Sequence, residues 1–227
     1  MNKKILIIAS DPNSINSEII YKSWKKINKK IKKEIILIGN FNLIKEQFKK
    51  LKIKIKILKV VNFDDIKSNN DLKIFDVPVT FKNPFAVEEK KASNYLFNCL
   101  RLADKLARSK KVKGIINCPI DKKLIKKIQK PGLTEYFASI SKVPEKTEVM
   151  MIYNKKLSVV PLTTHIKIKN IPKNINKNLI ITKLLSLNNN YKKIFKIKPK
   201  IGILGLNPHI GEMKNDTEEV KKIIPAI

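Results

Sequence analysis

The sequence predicts an α/β fold with a mostly parallel sheet and flanking helices, and three observations carry that prediction. Short apolar runs dominated by Ile, Leu and Val have the form of buried strands, segments of helical apolar spacing lie between them, and the leading elements alternate strand, helix, strand, helix, strand. The chain has 227 residues, 43% of them apolar, which is enough for one two-layer domain or two small lobes sharing a core and excludes wholesale disorder.

The first strand is read at Lys4 to Ala9, a short β-rich run ended by the turn formers Asp11-Pro12-Asn13-Ser14. A helix follows, with Ile15, Ile19, Ile20, Trp24, Ile27 and Ile31 on one face and lysines opposite. Glu34 to Gly39 is the second strand, Phe41 to Leu51 a helix, and Lys52 to Val60 alternates Lys with Ile or Leu as a half-exposed strand does. A short strand near Leu72 to Phe75 is bracketed by loops rich in Asn, Ser and Pro. The pattern then predicts a long helix from about Ala86 to Lys110, its buried stripe formed by Tyr95, Cys99, Leu102 and Leu106. A strand at Gly114 to Asn117 is closed by Cys118-Pro119 ahead of a helix beginning near Asp121. Glu148 to Tyr153 and Leu157 to Leu162 flank Asn154-Lys155-Lys156 as a hairpin would. Asn178 to Phe195 reads as a helix, Pro199 to Leu204 as a strand, and a last helix is expected from about Asp216.

The net charge is +30, yet only Arg101 and Arg108 are arginines, so 47 of the 49 cations are lysines, scattered along the whole chain. Nucleic-acid sites favour the bidentate arginine fork, and their cations cluster. The 23 asparagines and abundant Ile share A- and T-rich codons with Lys, so the charge reads as a solvated lysine surface without a specific nucleic-acid partner. Two cysteines, Cys99 and Cys118, make no disulfide framework, and no apolar run reaches the roughly 18 residues of a bilayer span. The opening Met-Asn-Lys-Lys with Ile5 to Ala9 imitates a signal peptide but is cut short by Asp11-Pro12, so the expectation is a cytoplasmic protein with no membrane partner.

Three residues stand out chemically. His165 and His209, the chain's two histidines, each follow an apolar strand-like run at a small-residue loop, where open α/β sheets place ligands and where an imidazole can bind metal. Glu212 is a further oxygen donor close to His209, but a third ligand is not evident. Thr134 follows Pro131-Gly132-Leu133 at a helix start; it reads either as an N-cap or as a phosphate contact at a helix N-terminus.

Several segments together resemble the 4-hydroxythreonine-4-phosphate dehydrogenase family, PdxA, of vitamin B6 biosynthesis. They are Asn117-Cys118-Pro119-Ile120-Asp121-Lys122, Gly132-Leu133-Thr134-Glu135-Tyr136-Phe137, Met150-Met151 with Thr163-Thr164-His165, and Gly205-Leu206-Asn207-Pro208-His209-Ile210-Gly211-Glu212 with Thr217-Glu218-Glu219. The resemblance covers the whole chain, and the Gly-Leu-Asn-Pro-His block is its most specific motif. It implies a two-lobed subunit similar to the isocitrate and isopropylmalate dehydrogenases, working as a homodimer with its site in the interlobe cleft. It further implies a divalent metal (zinc, magnesium, manganese or cobalt) on three histidines drawn from both subunits, with His165 and His209 in two of those positions. NAD or NADP would take the hydride in an oxidative decarboxylation of a small phosphorylated substrate, and Thr134 would contact the substrate phosphate.

The chain departs from the family pattern in three places. Leu133 replaces the His of the family's Gly-His-Thr-Glu and offers no hydrogen bond. The family's glycine-rich N-terminal loop is here Ser10-Asp11-Pro12-Asn13-Ser14-Ile15-Asn16-Ser17-Glu18, which should approach a ligand less closely. The chain also ends where the family continues into a C-terminal third, so residues 1–227 are expected to form a single, C-terminally incomplete PdxA-like region with impaired activity. The rival expectations are a paralogue acting on threonate or erythronate phosphate, and a non-catalytic remnant or basic binding module.

Overall fold

A computed structural model of the chain describes residues 3–63, 69–126, 132–209 and 217–227. The chain divides into two compact units, Met1–Gln129 and Lys130–Ile227.

The first unit runs β1 (Lys4–Ile8), α1 (Asn16–Lys26), α2 (Lys29–Lys32), β2 (Ile35–Gly39), α3 (Phe41–Lys50), β3 (Ile57–Val60), β4 (Leu72–Asp76), α4 (Glu89–Ala107) and β5 (Val112–Asn117). Every pairing is parallel and the strand order is β3-β4-β2-β1-β5, so the predicted parallel sheet is present. Side chains alternate across a strand, and here they sort into two layers. Ile5, Ile7, Ile35 and Leu37 join Ile20 and Trp24 of α1 and Ile44 and Phe48 of α3 in one core. Leu6, Ile8, Ile36 and Ile38 take the opposite parity, and α4, which packs on β1, β2 and β5, buries Tyr95, Leu96, Cys99, Leu100 and Ala103.

Sequence and structure differ at several boundaries. The helix expected through Ile31 stops at Lys26, because Ile27 turns extended and Asn28 caps α2 by accepting from Ile31 N at 2.9 Å. Ile15, assigned to the buried stripe, is 65% exposed. In residues 52–56 alternate side chains are exposed as predicted, but pairing begins only at Ile57. The α4 stripe is displaced by one helical row, and Leu102 and Leu106 are half-buried. The helix expected near Asp121 is a single 3-10 turn, Lys122–Ile125.

The second unit comprises α5 (Leu133–Ile140), a 3-10 turn at Ile168–Asn170, α6 (Ile171–Asn174), α7 (Lys177–Phe195) and helical turns at Glu219–Ile223 and Ile224–Ala226. Asn176 starts α7 by accepting from Leu179 N at 2.9 Å. The unit's core is small: Ile175, Ile180, Ile223 and Ala226 are buried, with Leu162, Ile203 and Leu206 among the side chains packed against them. The predicted hairpin is reduced to one antiparallel bridge, Ile152 with Val159, so its loop is six residues and not three. The strand expected over Pro199 to Leu204 does not form; these residues have the apolar pattern but pair with no neighbour among the described residues.

The structure also shows how the chemistry of the background groups is suppressed. Cys99 and Cys118 are buried and unbridged, and burial pushes their thiols up to about 12 and about 11, which keeps them protonated and inert. Lys73 is a buried cation whose ammonium donates to the carbonyls of Asn69 and Asp71, at 2.7 and 3.1 Å. Among the described residues no helix is long and apolar enough to cross a membrane.

Candidate functional site

The loop after β1 is where the family pattern has its glycines, and here it is built from amide hydrogen bonds. Asp11 Oδ1 accepts from Asn13 N at 2.8 Å, and the Asn13 side chain both accepts from Val87 N and donates to Val87 O. Asn16 Nδ2 donates to Ala9 O and Pro119 O, both at 2.9 Å, joining the ends of β1 and β5. Gln47 donates to Pro12 O and Pro84 O and accepts from Ser17 Oγ. Ser14 and Asn16, which replace glycines of the family pattern, are thus structural parts of the loop. Asn13, Ser14, Ile15 and Glu18 of this loop line an open depression with Leu51 and Phe85.

The three residues singled out by sequence, Thr134, His165 and His209, all lie in the second unit. Thr134 is not the N-cap. Gly132 holds that position in extended backbone with no side-chain cap, and Thr134 is exposed in the first turn of α5. The leading N–H groups of a helix have no partner within it, and an anion suits them. His165 approaches from the Thr163–Thr164 loop. A Cβ on Gly132 would stand 3.5 Å from His165 Nε2, in ordinary van der Waals contact, and a tighter 3.1 Å from Glu135 Oε2, so the imidazole and the Glu135 carboxylate both lie against the α5 terminus. Thr164 Oγ1 donates to Glu135 Oε1 at 3.2 Å and ties the two segments together. His165 itself has φ 57°, a left-handed conformation that costs a non-glycine residue roughly 1–2 kcal/mol.

His209 is exposed at the end of the Gly205–Pro208 loop. That loop is gripped by Glu219, which is only 2% exposed. Glu219 Oε1 accepts from Leu206 N and Asn207 N, both at 2.8 Å, and the Asn207 side chain donates to both carboxylate oxygens, at 3.2 and 3.1 Å. These donors, led by the Asn207 backbone amide, hold the Glu219 carboxyl down to about 2. The two histidine loops leave one core: Leu162 and Leu206, each three positions before a histidine, pack against the same buried cluster of Ile175, Ile180, Ile223 and Ala226.

Among the described residues no three His, Cys, Asp or Glu side chains gather as a metal set. Both imidazoles are exposed, each chemically able to ligate a divalent cation, and Glu212 lies outside the described residues. Sequence reasoning picked out the histidines and Thr134 but gave no role to Glu135, Thr164 or Glu219. The available signal was their place inside the motif blocks: a carboxylate within the Gly-Leu-Thr-Glu segment and another ten residues after His209.

A family model described as "Pyridoxal phosphate biosynthetic protein PdxA" matches residues 30–227. The 4-hydroxythreonine-4-phosphate dehydrogenases of Aquifex aeolicus and Sulfurihydrogenibium are 36% and 37% identical to the chain, covering 100% and 99% of it and 70% and 69% of their own lengths. A protein of Oceanobacillus iheyensis named "Putative D-threonate 4-phosphate dehydrogenase" is 29% identical over 100% of the chain and 70% of its own length. Among solved structures, a 4-hydroxythreonine-4-phosphate dehydrogenase from Burkholderia phymatum superposes with a TM-score of 0.84 at 25% identity, over 100% of this chain and 70% of that one.

Proposed function

The chain belongs to the PdxA family of pyridoxal phosphate biosynthetic proteins, and on that premise we propose that it is an oxidoreductase that oxidises and decarboxylates 4-phosphooxy-L-threonine with NAD or NADP. The observation that carries the reading is the closure of His165 onto the N-terminus of α5, with Nε2 3.5 Å from the Cβ that Gly132 lacks and Thr134 two residues further on. One short substrate could therefore set its phosphate against the α5 amides and the Thr134 hydroxyl while its reacting end reaches the imidazole.

His165 and His209 hold two positions of a divalent metal, zinc, magnesium, manganese or cobalt, and the third ligand comes from outside the described residues. A cation held there would supply Lewis-acid chemistry toward the substrate's hydroxyl. Thr134 and the α5 amides bind and orient the phosphate, and Glu135, through Thr164, keeps the His165 loop in place. Ile152, Leu157, Val159 and Leu204 of this unit are large apolar side chains left exposed; a second copy of the chain covers them in a homodimer. Two buried, unbridged thiols suit a reducing cytoplasm.

The test is turnover. Purified protein with metal, NAD or NADP and 4-phosphooxy-L-threonine is expected to give reduced nicotinamide and carbon dioxide in equal amounts. His165→Ala and His209→Ala should each lower kcat/KM by more than the roughly 10- to 100-fold typical of changes behind the ligand shell. Wild-type activity that is indifferent to both substitutions and to chelator would overturn the reading.

A second reading has its own observation. Leu133, half-buried as the first residue of α5, stands where the family pattern has a hydrogen-bonding His. A phosphorylated threonate or erythronate is then the preferred substrate. Higher kcat/KM on either of those than on 4-phosphooxy-L-threonine decides in its favour.

A further inference from the structure

The least expected arrangement in the second unit is a buried carboxylate committed chiefly to one turn of chain. Glu219 Oε1 takes two consecutive backbone amides, Leu206 N and Asn207 N, and the Asn207 side chain spans both its oxygens. Every one of these partners is a donor, and an ionised carboxylate is purely an acceptor. Charge-assisted bonds of this kind are roughly twice as strong as neutral ones.

The grip ends two residues from His209, and the residue between is Pro208, whose ring fixes its own φ near −65°. Fixing the peptide planes at 206 and 207 therefore leaves little freedom in where residue 209 leaves the loop. On the other side Leu206 packs on the Ile175–Ile180–Ile223–Ala226 core, and Ile223 and Ala226 follow Glu219 in the same helical turns. The clamp is thus anchored to that core from both ends.

We propose that Glu219 is a positioning residue that sets the His209 imidazole for cation binding by holding the Leu206–Asn207 turn. The proposal rests on the assignment of His209 as a metal ligand, and its test separates the two. The chain has only two histidines, so the proton spectrum contains two imidazole Hε1 signals, assignable with His209→Ala. Glu219→Ala should shift and broaden the His209 signal, leave the His165 signal in place, and expose the amides of Leu206 and Asn207 to exchange. It should weaken cobalt(II) affinity by about 10- to 100-fold, the range for partners behind a metal's ligands, with an altered visible spectrum. Glu219→Gln, which turns one acceptor oxygen into a donor facing Asn207, should show the same changes in smaller measure. Asn207→Ala removes the side-chain bonds and keeps both backbone ones; it should also move the His209 signal alone, and it decides the matter if Glu219→Ala does not fold. Unmoved His209 signals in the folded variants, or cobalt affinity equal to wild type, would overturn the proposal. Wild-type protein that takes up no cobalt would overturn the metal assignment instead, while the imidazole signals would still report whether Glu219 positions His209.

Discussion

The two units fix their loops by different chemistry. In the first, the chain leaving the strands is held mostly by neutral amides, Asn13 on Val87, Asn16 between Ala9 and Pro119, Gln47 on Pro12 and Pro84, and Asn40 on Val77, with Asp11 accepting from Asn13 N and Asp76 from Phe41 N as the carboxylate exceptions. In the second, carboxylates do the holding: Glu135 on Thr164, Glu219 on the Leu206–Asn207 turn, and Glu148 on Lys183. A parallel sheet already places the ends of its strands by register, so mostly neutral bonds tidy the exits. Among the described residues the second unit has no such ladder beyond one bridge, and stronger, charge-assisted bonds take over the positioning. The candidate ligands lie in the unit whose geometry depends on ionised groups.

The strongest way to break this comparison is to injure each core. Phe48→Ala, in the core between the sheet and α3, should cost about 3–5 kcal/mol, and Ile180→Ala in the smaller core about 2–5 kcal/mol. Trp24, the single tryptophan, reports on the first unit in urea titrations, and the two imidazole signals report on the second. If both histidine loops depend on the shared core, Ile180→Ala disturbs both signals. A normal pair of signals in that variant would show that the loops are not held from there. Next in size, Gln47→Leu strips partners from Pro12 O, Pro84 O and Ser17 Oγ at a buried position and should cost about 1–3 kcal/mol in the same titration. That loss would come without any change in the imidazole signals.

How much of this was legible in the sequence follows the same division. The first unit's strands and helices were readable because Ile35 to Gly39 and Lys4 to Ile8 are continuous apolar runs with helical stripes between them, and a parallel sheet buries both faces of such runs. Pro199 to Leu204 carries Ile201, Ile203 and Leu204 and forms no strand, because a strand is made by its partner and partners are remote in sequence. The histidines and Thr134 were legible as motif members. Glu219 and Glu135 were not, since their roles depend on donors 12 to 13 and 29 positions away. Of the two readings of Thr134, the cap fails because Gly132 holds the N-cap position, and which residue leads a helix depends on backbone angles that a hydroxyl at a helix start does not fix.

Acid should sharpen the contrast. Glu219 is held down to about 2 from an ordinary 4.5, so its bonds favour the folded state fully above about pH 4.5, and that contribution is lost as pH falls toward 2. Amide exchange at Leu206 and Asn207, corrected for its intrinsic pH dependence, should accelerate across that window. Val87 N, which donates to the neutral Asn13 side chain, should keep its protection. The first unit has an acid-sensitive contact of its own: Glu34, held below the usual carboxylate range by its hydrogen bond to Lys113 at 2.7 Å. It precedes β2, at the opposite end of the sheet from the amide-held loop, so early loss of Val87 protection would count against the contrast.

The smallest effect tests whether the units differ in anything more local. Among the described residues no glycine has positive φ, whereas Lys52, Lys110, Lys142 and Lys196 do, each at the end of a helix. At Lys52 and Lys142 the backbone closes the same motif: Ile53 N donates to Phe48 O and Lys52 N to Lys49 O in the first unit, Val143 N to Ala138 O and Lys142 N to Ser139 O in the second. The left-handed conformation costs a lysine roughly 1–2 kcal/mol, and its charge at a helix C-terminus returns about 0.3–1 kcal/mol. Lys52→Gly and Lys142→Gly should therefore each stabilise its own unit by about 0.5–1 kcal/mol in urea titrations. Equal gains in the two units would place their difference in the long-range bonds of the loops and not in how their helices end. A gain confined to one would mean that the lysine side chain in the other does more than fill a glycine's position.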